Sequence, residues 1–368
     1  MIQYSFKFQR KQIFNCYSSF IIISSMKENK EAELTYFESN IPIKIPTVPK
    51  LAQVQSNLPS QAQKDGSLRV EWTHRPSSCL IIEKKGDEAS RYYLIQVANW
   101  LMESRQMVVY VEPYVAKSLS QMIFLKPFNE EHIDVVLSFG GDGTLLHISS
   151  LFPKYCPPIV PFSLGSLGFL TPFTAEEFRD TIDDVIQGPF YVCNRTQISI
   201  TITRKDGTIS VYQALNDIVF RGQSIGMVCG VDCFIDDEYF TTIWGDGLIV
   251  ATSTGSTAYN LSAGGAMVHP SVSTLIWTPI CAHALNAHPL ILPDSIKLSF
   301  KIAQQSRSTQ PYVVSYDGHP TYVEKGDDVA VSIPPNCLPT VCDKSPIVDW
   351  LHSISTVLRW NHPISQNN

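Results

Sequence analysis

Ile133-Asp134-Val135-Val136-Leu137-Ser138-Phe139-Gly140-Gly141-Asp142-Gly143-Thr144-Leu145-Leu146 runs from an apolar stretch through a glycine turn into a second apolar stretch. The three parts read as buried strand, tight turn and helix start. In that geometry free backbone N–H groups and a helix N-terminus aim at one point, and phosphate binds there readily. Glycine suits the turn because a Cβ would block close approach of the backbone to phosphate oxygens and would penalise positive φ. The turn is neither GxGxxG nor GxxxxGK[ST]. It differs from both by an acid at its middle. A carboxylate beside bound phosphates repels them unless it holds a metal ion or accepts a proton from an attacking hydroxyl, which gives Asp142 a job in phosphoryl transfer. The same residues also suit a plain tight turn whose Asp side chain caps the helix.

Outward from this segment, the pattern before residue 173 alternates. Residues 79–82 and 107–111 are strand-like, and residues 90–104 carry Leu94, Val97, Ala98 and Leu101 at helical spacing. Strands alternating with helices predict a parallel, Rossmann-like α/β sheet. After Phe173 a helix over 175–185 gives way to short β-rich runs at 197–204, 209–215, 218–221, 229–235, 249–252 and 295–302. Turn residues such as Lys205-Asp206-Gly207 and Asp236-Asp237 separate them, so the fold class is α/β plus β, with a mostly-β, sandwich-like second domain. At the C-terminus Ile347, Trp350, Leu351, Ile354, Val357 and Leu358 form an apolar helical face that must dock on something.

Bulk properties exclude several classes. A chain of 368 residues, 44% hydrophobic, can bury two cores, since domains run about 100 to 200 residues. A formal charge of −6 gives no global pull toward nucleic acid or an anionic membrane, so a polyanionic ligand needs local groups. The nine cysteines show no zinc spacing, which predicts reduced thiols and an intracellular compartment. No apolar run reaches the roughly 18 to 20 residues of a membrane span. Residues 1–25 carry Lys7, Arg10 and Lys11 with no acid before Glu28, the pattern of a mitochondrial presequence; a cytoplasmic chain with a ragged extension is the alternative. Residues 29–75 are polar and Pro-punctuated and read as tail or linker, which makes 1–75 an extension.

A second informative stretch is Gly245-Asp246-Gly247-Leu248-Ile249-Val250-Ala251-Thr252-Ser253-Thr254-Gly255-Ser256-Thr257-Ala258-Tyr259-Asn260-Leu261-Ser262-Ala263-Gly264-Gly265. Its small residues and hydroxyls suit sugar hydroxyls and a base edge, although ordinary loop chemistry uses the same residues. The stretch closely resembles the DGxxxxTPTGSTAYxxSAGG signature of NAD kinases. Gly165 to Phe173 (GSLGFLTPF), Leu215-Asn216-Asp217-Ile218, Thr278-Pro279-Ile280-Cys281 and Pro289 to Pro293 (PLILP) resemble further blocks of that family, in the same order. The GGDGT turn alone is shared with lipid kinases and phosphofructokinases. The later blocks choose the acceptor.

The resemblance implies that ATP, with Mg2+, phosphorylates the 2′-hydroxyl of the adenosine ribose of NAD or NADH. Asp142 would be the catalytic base or metal-linked acid, with Gly141, Gly143 and Thr144 shaping the phosphate turn. Phe169 would face the adenine, and Asn216 and Asp217 would bond ribose hydroxyls. Asp246, Thr254, Thr257, Ala258, Tyr259, Asn260 and Ser262 would complete the dinucleotide pocket. No dedicated protein metal site is implied. The family fold implies residues 76–175 as the α/β domain, with the helix over 345–361 packing back on it, residues 176–340 as the dinucleotide-binding domain, and a homo-oligomer. Departures exist: Ser253 replaces a usual Pro, Asp217 a commoner Glu, and Ala282, Ala284 and His288 stand where Pro, Ser and Arg are frequent. The Asn-Asp pair and the AYNLSAGG run look most like the fungal mitochondrial branch that favours NADH. A GGDGT lipid kinase and an NAD(H) sensor without turnover are the rival readings.

Overall fold

The computed structural model describes residues 51–53, 68–128, 133–223 and 228–361. The expected presequence over 1–25 lies outside them. Among the described residues one mixed sheet and two antiparallel sheets carry the fold. The mixed sheet runs Leu51–Gln53, Leu68–Trp72, Phe190–Thr196, Cys337–Val341, Ile159–Ser163, Val135–Phe139, Ser78–Glu83, Val108–Val111, Lys126–Pro127, with Phe173–Thr174 beside Ile159–Ser163. From Cys337–Val341 onward all pairings are parallel. Val135–Phe139 is buried along its whole length, as expected of a parallel strand covered on both faces.

Helices cover that sheet for legible reasons. Glu88–Trp100 starts at Asp87, whose carboxylate accepts from Ser90 N–H at 2.9 Å, and it buries Leu94, Val97 and Ala98. Phe178–Gln187 buries Phe178, Ile182, Val185 and Ile186, spaced as one helical face.

The tail reading of residues 29–75 is corrected at its end. Leu68–Trp72 is a strand with Val70 buried, and Trp72 donates Nε1–H to the Val185 carbonyl at 2.7 Å and packs its ring 5.5 Å from Phe190. Alternation of Leu68, Val70 and Trp72 with charged residues carries the strand signal, which neighbouring prolines masked. The boundary at 176 also shifts, because Phe190–Thr196 pairs with both Leu68–Trp72 and Cys337–Val341 in the first sheet.

The second domain is a sandwich of two six-stranded sheets. One runs Ile209–Ala214, Ile198–Thr203, Asp328–Ser332, Leu298–Ile302, Cys229–Ile235, Glu238–Gly245. The other runs Leu290–Pro293, Thr274–Ile280, Gly247–Thr252, Asp217–Gly222, Tyr312–Tyr316, His319–Val323. Ile200, Phe220, Val231, Leu248, Phe300 and Val314 interleave between the sheets. The final helix, Pro346–Val357, packs on Phe190–Thr196 and sets Trp350 edge-on to His269 at 5.1 Å. Only part of its apolar face is covered: Ile354 is buried, whereas Val348, Leu351 and Val357 stay exposed.

Candidate functional site

Gly140, Gly141 and Asp142 follow the C-terminal end of Val135–Phe139, where an open α/β sheet places its ligands. Asp142 opens the helix Asp142–Leu151, whose N-cap is Gly141, and its carboxylate bonds away from the helix start. It turns instead to the LGFL segment, where its carboxylate accepts from Leu170 N–H at 3.0 Å and Phe169 N–H at 3.2 Å. The helix-capping alternative is thereby set aside. Gly168 makes room for this carboxylate, since a Cβ there would stand well under 3.0 Å from Asp142 Oδ1. Thr171 fixes the same loop by accepting Gly168 N–H at 3.0 Å.

The glycines of the turn differ from the sequence expectation in one respect. None of Gly140, Gly141 and Gly143 has positive φ. At Gly141 and Gly143 a Cβ would meet nothing within 4 Å, so glycine there leaves open space over the backbone. Gly140 instead is filled by the Thr144 side chain, which makes buried Thr144 a packing element of the turn.

A hydrophobic cluster brings the Asn216-Asp217 pair to this turn. Leu215 is fully buried with Leu145, Ile148 and Leu170, and Phe169 packs against the same cluster. Burying one leucine stabilises by roughly 2 kcal/mol, enough to hold the neighbouring residue in place. A buried bridge from Gln197 Nε2 to Ser149 Oγ at 2.8 Å joins the domains at the same helix.

Backbone bonds then use up the tripeptide 215–217. The Asp317 carboxylate accepts from Leu215, Asn216 and Asp217 N–H at 2.6, 2.8 and 3.2 Å, and Asp317 N–H donates to the Asp217 carbonyl at 3.1 Å. Thr252 takes the other carbonyls: its Oγ1–H donates to Leu215 at 2.6 Å and its N–H to Asn216 at 2.9 Å. Only the side chains remain for a ligand. Burial, with the Asp317 carboxylate beside it, pushes the Asp217 carboxyl up to about 7. Burial also pushes Asp317 up, against the three N–H groups that pull it down.

The Ser/Thr/Gly stretch folds over this pair. A Cβ at Gly255 would fall inside the Asn216 backbone, so glycine is required by contact. Ser253 has φ −58°, the value a proline would fix, and its hydroxyl donates to the Val272 carbonyl. The hydroxyl bond thus pins the loop where the usual proline is missing. Thr254 is buried and its Oγ1 has no partner among the described residues. Thr257 Oγ1 donates to the Thr254 carbonyl at 3.4 Å and, like Ala258, is half-buried, while Tyr259 and Ser262 are exposed.

Two expected pocket residues stand elsewhere. Asn260 is fully buried: its amide N–H groups bond the Ser256 and Ala266 carbonyls, and its oxygen accepts from Thr278 Oγ1 at 2.6 Å. With its hydrogen-bonding groups consumed, it holds the loop. Asp246 is exposed at the far end of Gly247–Thr252, five residues and about 17 Å from the Asp217 partner Ala251. His288 is likewise exposed, in the loop after Thr274–Ile280. Asp317 and Gly168 were missed by sequence reasoning. An Asp-Gly pair between the β runs 312–316 and 319–323 was the available signal for Asp317.

An α/β domain with a GGDGT turn at the C-terminal end of its Val135–Phe139 strand, joined by a buried seam to a β-sandwich that offers an Asn-Asp pair, defines a two-domain class of kinase fold. Residues 79–190 match the model of the ATP-NAD kinase N-terminal domain and residues 215–341 that of the ATP-NAD kinase C-terminal domain. The chain is 34% identical over 331 residues to "Probable NAD kinase 1" of Oryza sativa subsp. japonica, covering 85% of this chain and 62% of that protein. It is 34% identical over 310 residues to "NADH kinase pos5, mitochondrial" of Schizosaccharomyces pombe, covering 82% and 79%. The crystal structure of yeast NADH kinase complexed with NADH superposes with a TM-score of 0.76 at 28% identity, over 82% of this chain and 93% of that one. The chain belongs to the NAD kinase family.

Proposed function

We propose that this protein transfers the γ-phosphoryl of ATP to the 2′-hydroxyl of the adenosine ribose of NAD or NADH, giving NADP or NADPH. The observation that carries the reading is the seating of the Asp142 carboxylate on the Phe169 and Leu170 N–H groups, in the hydrophobic cluster that also fixes Leu215 before Asn216-Asp217. The names of the relatives, NAD kinase and NADH kinase, support it.

Asn216 and Asp217 hold the ribose diol, Asp142 accepts the proton of the attacking hydroxyl, and the open backbone at Gly141 and Gly143 receives donor phosphates. Positioning of the two substrates supplies most of the acceleration in such transfers. Buried, unpartnered Thr254 Oγ1 offers a further neutral group to the dinucleotide. No cluster of three potential metal ligands exists among the described residues. One carboxylate at a phosphate turn suits a divalent ion that arrives with the phosphates, as Mg2+ does, and neutralises their charge. The sensor reading is less well supported, because Ser253 keeps the proline-like backbone and His288 is exposed in the loop that leaves Thr274–Ile280 opposite Gly247, at the other end of the strand from Thr252.

The test is purified protein with Mg-ATP and NAD, NADH, sphingosine or diacylglycerol, with NADP(H) read by an NADP-specific dehydrogenase and lipid product by transfer of labelled phosphate from ATP. NADP(H) formation is expected, and Asp142→Asn should lower kcat about 10³-fold while NAD(H) still binds. Product from lipid alone, or an active Asp142→Asn, refutes the reading. The proposal extends to a homo-oligomer, checked by sedimentation, and to mitochondrial import through residues 1–25, supported by the name of the S. pombe relative. Imaging the full chain against one starting at Met26 tests import.

A further inference from the structure

We infer that Asp317 is a positioning residue for the acceptor: its carboxylate gathers three consecutive N–H groups, of Leu215, Asn216 and Asp217, and thereby sets where the Asn216 and Asp217 side chains stand. The inference rests on the NAD(H) kinase reading. Asp317 and Gly318, with φ of 45° and 85°, form the two-residue turn between Tyr312–Tyr316 and His319–Val323. Tyr312–Tyr316 pairs with Asp217–Gly222, Ile218 opposite Tyr316, so the turn ends level with Asp217. Both carboxylate oxygens are used: Oδ1 accepts from Asn216 and Asp217, and Oδ2 from Leu215.

That division makes the charge necessary. An asparagine has one acceptor oxygen, and whichever way its amide turned, an NH₂ group would face a backbone N–H. A charged acceptor of three N–H groups is also a stronger clamp than a neutral one. The turn thus does for the tripeptide N–H groups what Thr252 does for two of its carbonyls.

The clamp also sets a negative charge against Asp217. Asp317 is the charged group that bears on Asp217, and His319 bears in turn on Asp317; Tyr316, with Tyr212 stacked on it, lies opposite Ile218 and so on the other face of the strand, and Gly247–Thr252 brings no titratable side chain. Ionised Asp217 can accept from two hydroxyls, whereas its protonated form loses acceptor capacity. Acceptor affinity therefore rises with pH through the Asp217 titration near 7, and removing the Asp317 charge moves that rise to lower pH.

Initial-rate kinetics of wild type, Asp317→Asn and Asp317→Glu, with ATP and NAD(H) varied separately over about two pH units either side of 7, test the inference, alongside NADH binding by fluorescence. Asp317→Asn should raise the acceptor KM about ten-fold while kcat and the ATP KM stay within about two-fold. Its acceptor kcat/KM should turn over at lower pH than wild type. Asp317→Glu, which keeps the charge but misplaces it, should raise the acceptor KM and leave the turnover pH in place. Equal rises in both KM values, an unmoved pH profile in Asp317→Asn, or failure of both variants to fold overturns the inference in favour of a purely structural role. Wild type that neither binds nor phosphorylates NAD(H) overturns the functional reading and the inference with it; active wild type with unaffected variants overturns the inference alone.

Discussion

The glycine turn at Gly140–Thr144 and the shell around Asn216-Asp217 both depend on glycine, for opposite reasons. At Gly141 and Gly143 the position of a missing Cβ is empty, whereas at Gly255 it is occupied by the Asn216 backbone. The first region keeps space for something that arrives. The second has spent its space and its backbone hydrogen bonds on itself, leaving side chains to meet a ligand. A small residue in a glycine-rich motif can therefore mark either a vacancy or a tight joint, and only the three-dimensional neighbours separate the two.

Substitutions can break or sharpen that contrast. The largest effect is expected for Gly255→Ala, which forces a methyl into the Asn216 backbone and should destabilise the fold by about 3 kcal/mol or more in denaturant melts. A parent-like midpoint would erase the distinction. Next comes Asp217→Asn. The folded carboxyl is raised from 3.8 to about 7, so the unfolded chain releases its proton first, and the native state loses stability as pH rises from about 4 through 7. Asparagine removes that penalty: the variant should be more stable than wild type by about 2 kcal/mol at pH 8 and gain nothing at pH 4, while binding NAD(H) about ten-fold more weakly. A gain that does not depend on pH would contradict the buried-carboxylate account.

Gly141→Ala should reverse the pattern of Gly255→Ala. Its backbone is extended, with φ −100° and ψ −167°, and alanine fits it, so melts should move by under about 1 kcal/mol while the ATP KM rises about ten-fold. The smallest effect belongs to Ser253→Pro. Its φ already matches proline, and the lost hydroxyl bond to Val272 is offset by a stiffer unfolded chain, so stability and kcat/KM should stay within about 1 kcal/mol of wild type.

The glycine turn was legible in the sequence because its parts are local: an apolar strand, three glycines and an acid, then a helix. The parallel order of Ser78–Glu83, Val108–Val111 and Val135–Phe139 follows from the same alternation. What stayed hidden is long-range. Neither the partner of Asp142, Gly168 and its neighbours, nor the clamp of Asp317 on residues 215–217 leaves a periodic trace. Leu68–Trp72 was hidden for another reason, since its short alternation sits against a Pro-rich background. Resemblance to a family named Asn260 and Asp246 as pocket residues, but motif membership does not report direction. Asn260 turns inward to brace the loop, and Asp246 sits at the wrong end of its strand within a single chain.

The seat of the Asp142 carboxylate over Gly168 has a consequence for how this protein can drift. Any side chain at 168 would compete for the volume that the carboxylate fills, so a change there displaces the Asp142 carboxylate without altering that residue. The two positions, far apart along the chain, form one unit of selection: once either is lost, the cost of losing the other largely disappears. Lineages that abandon turnover should shed both together, and double-mutant cycles between them should be strongly non-additive.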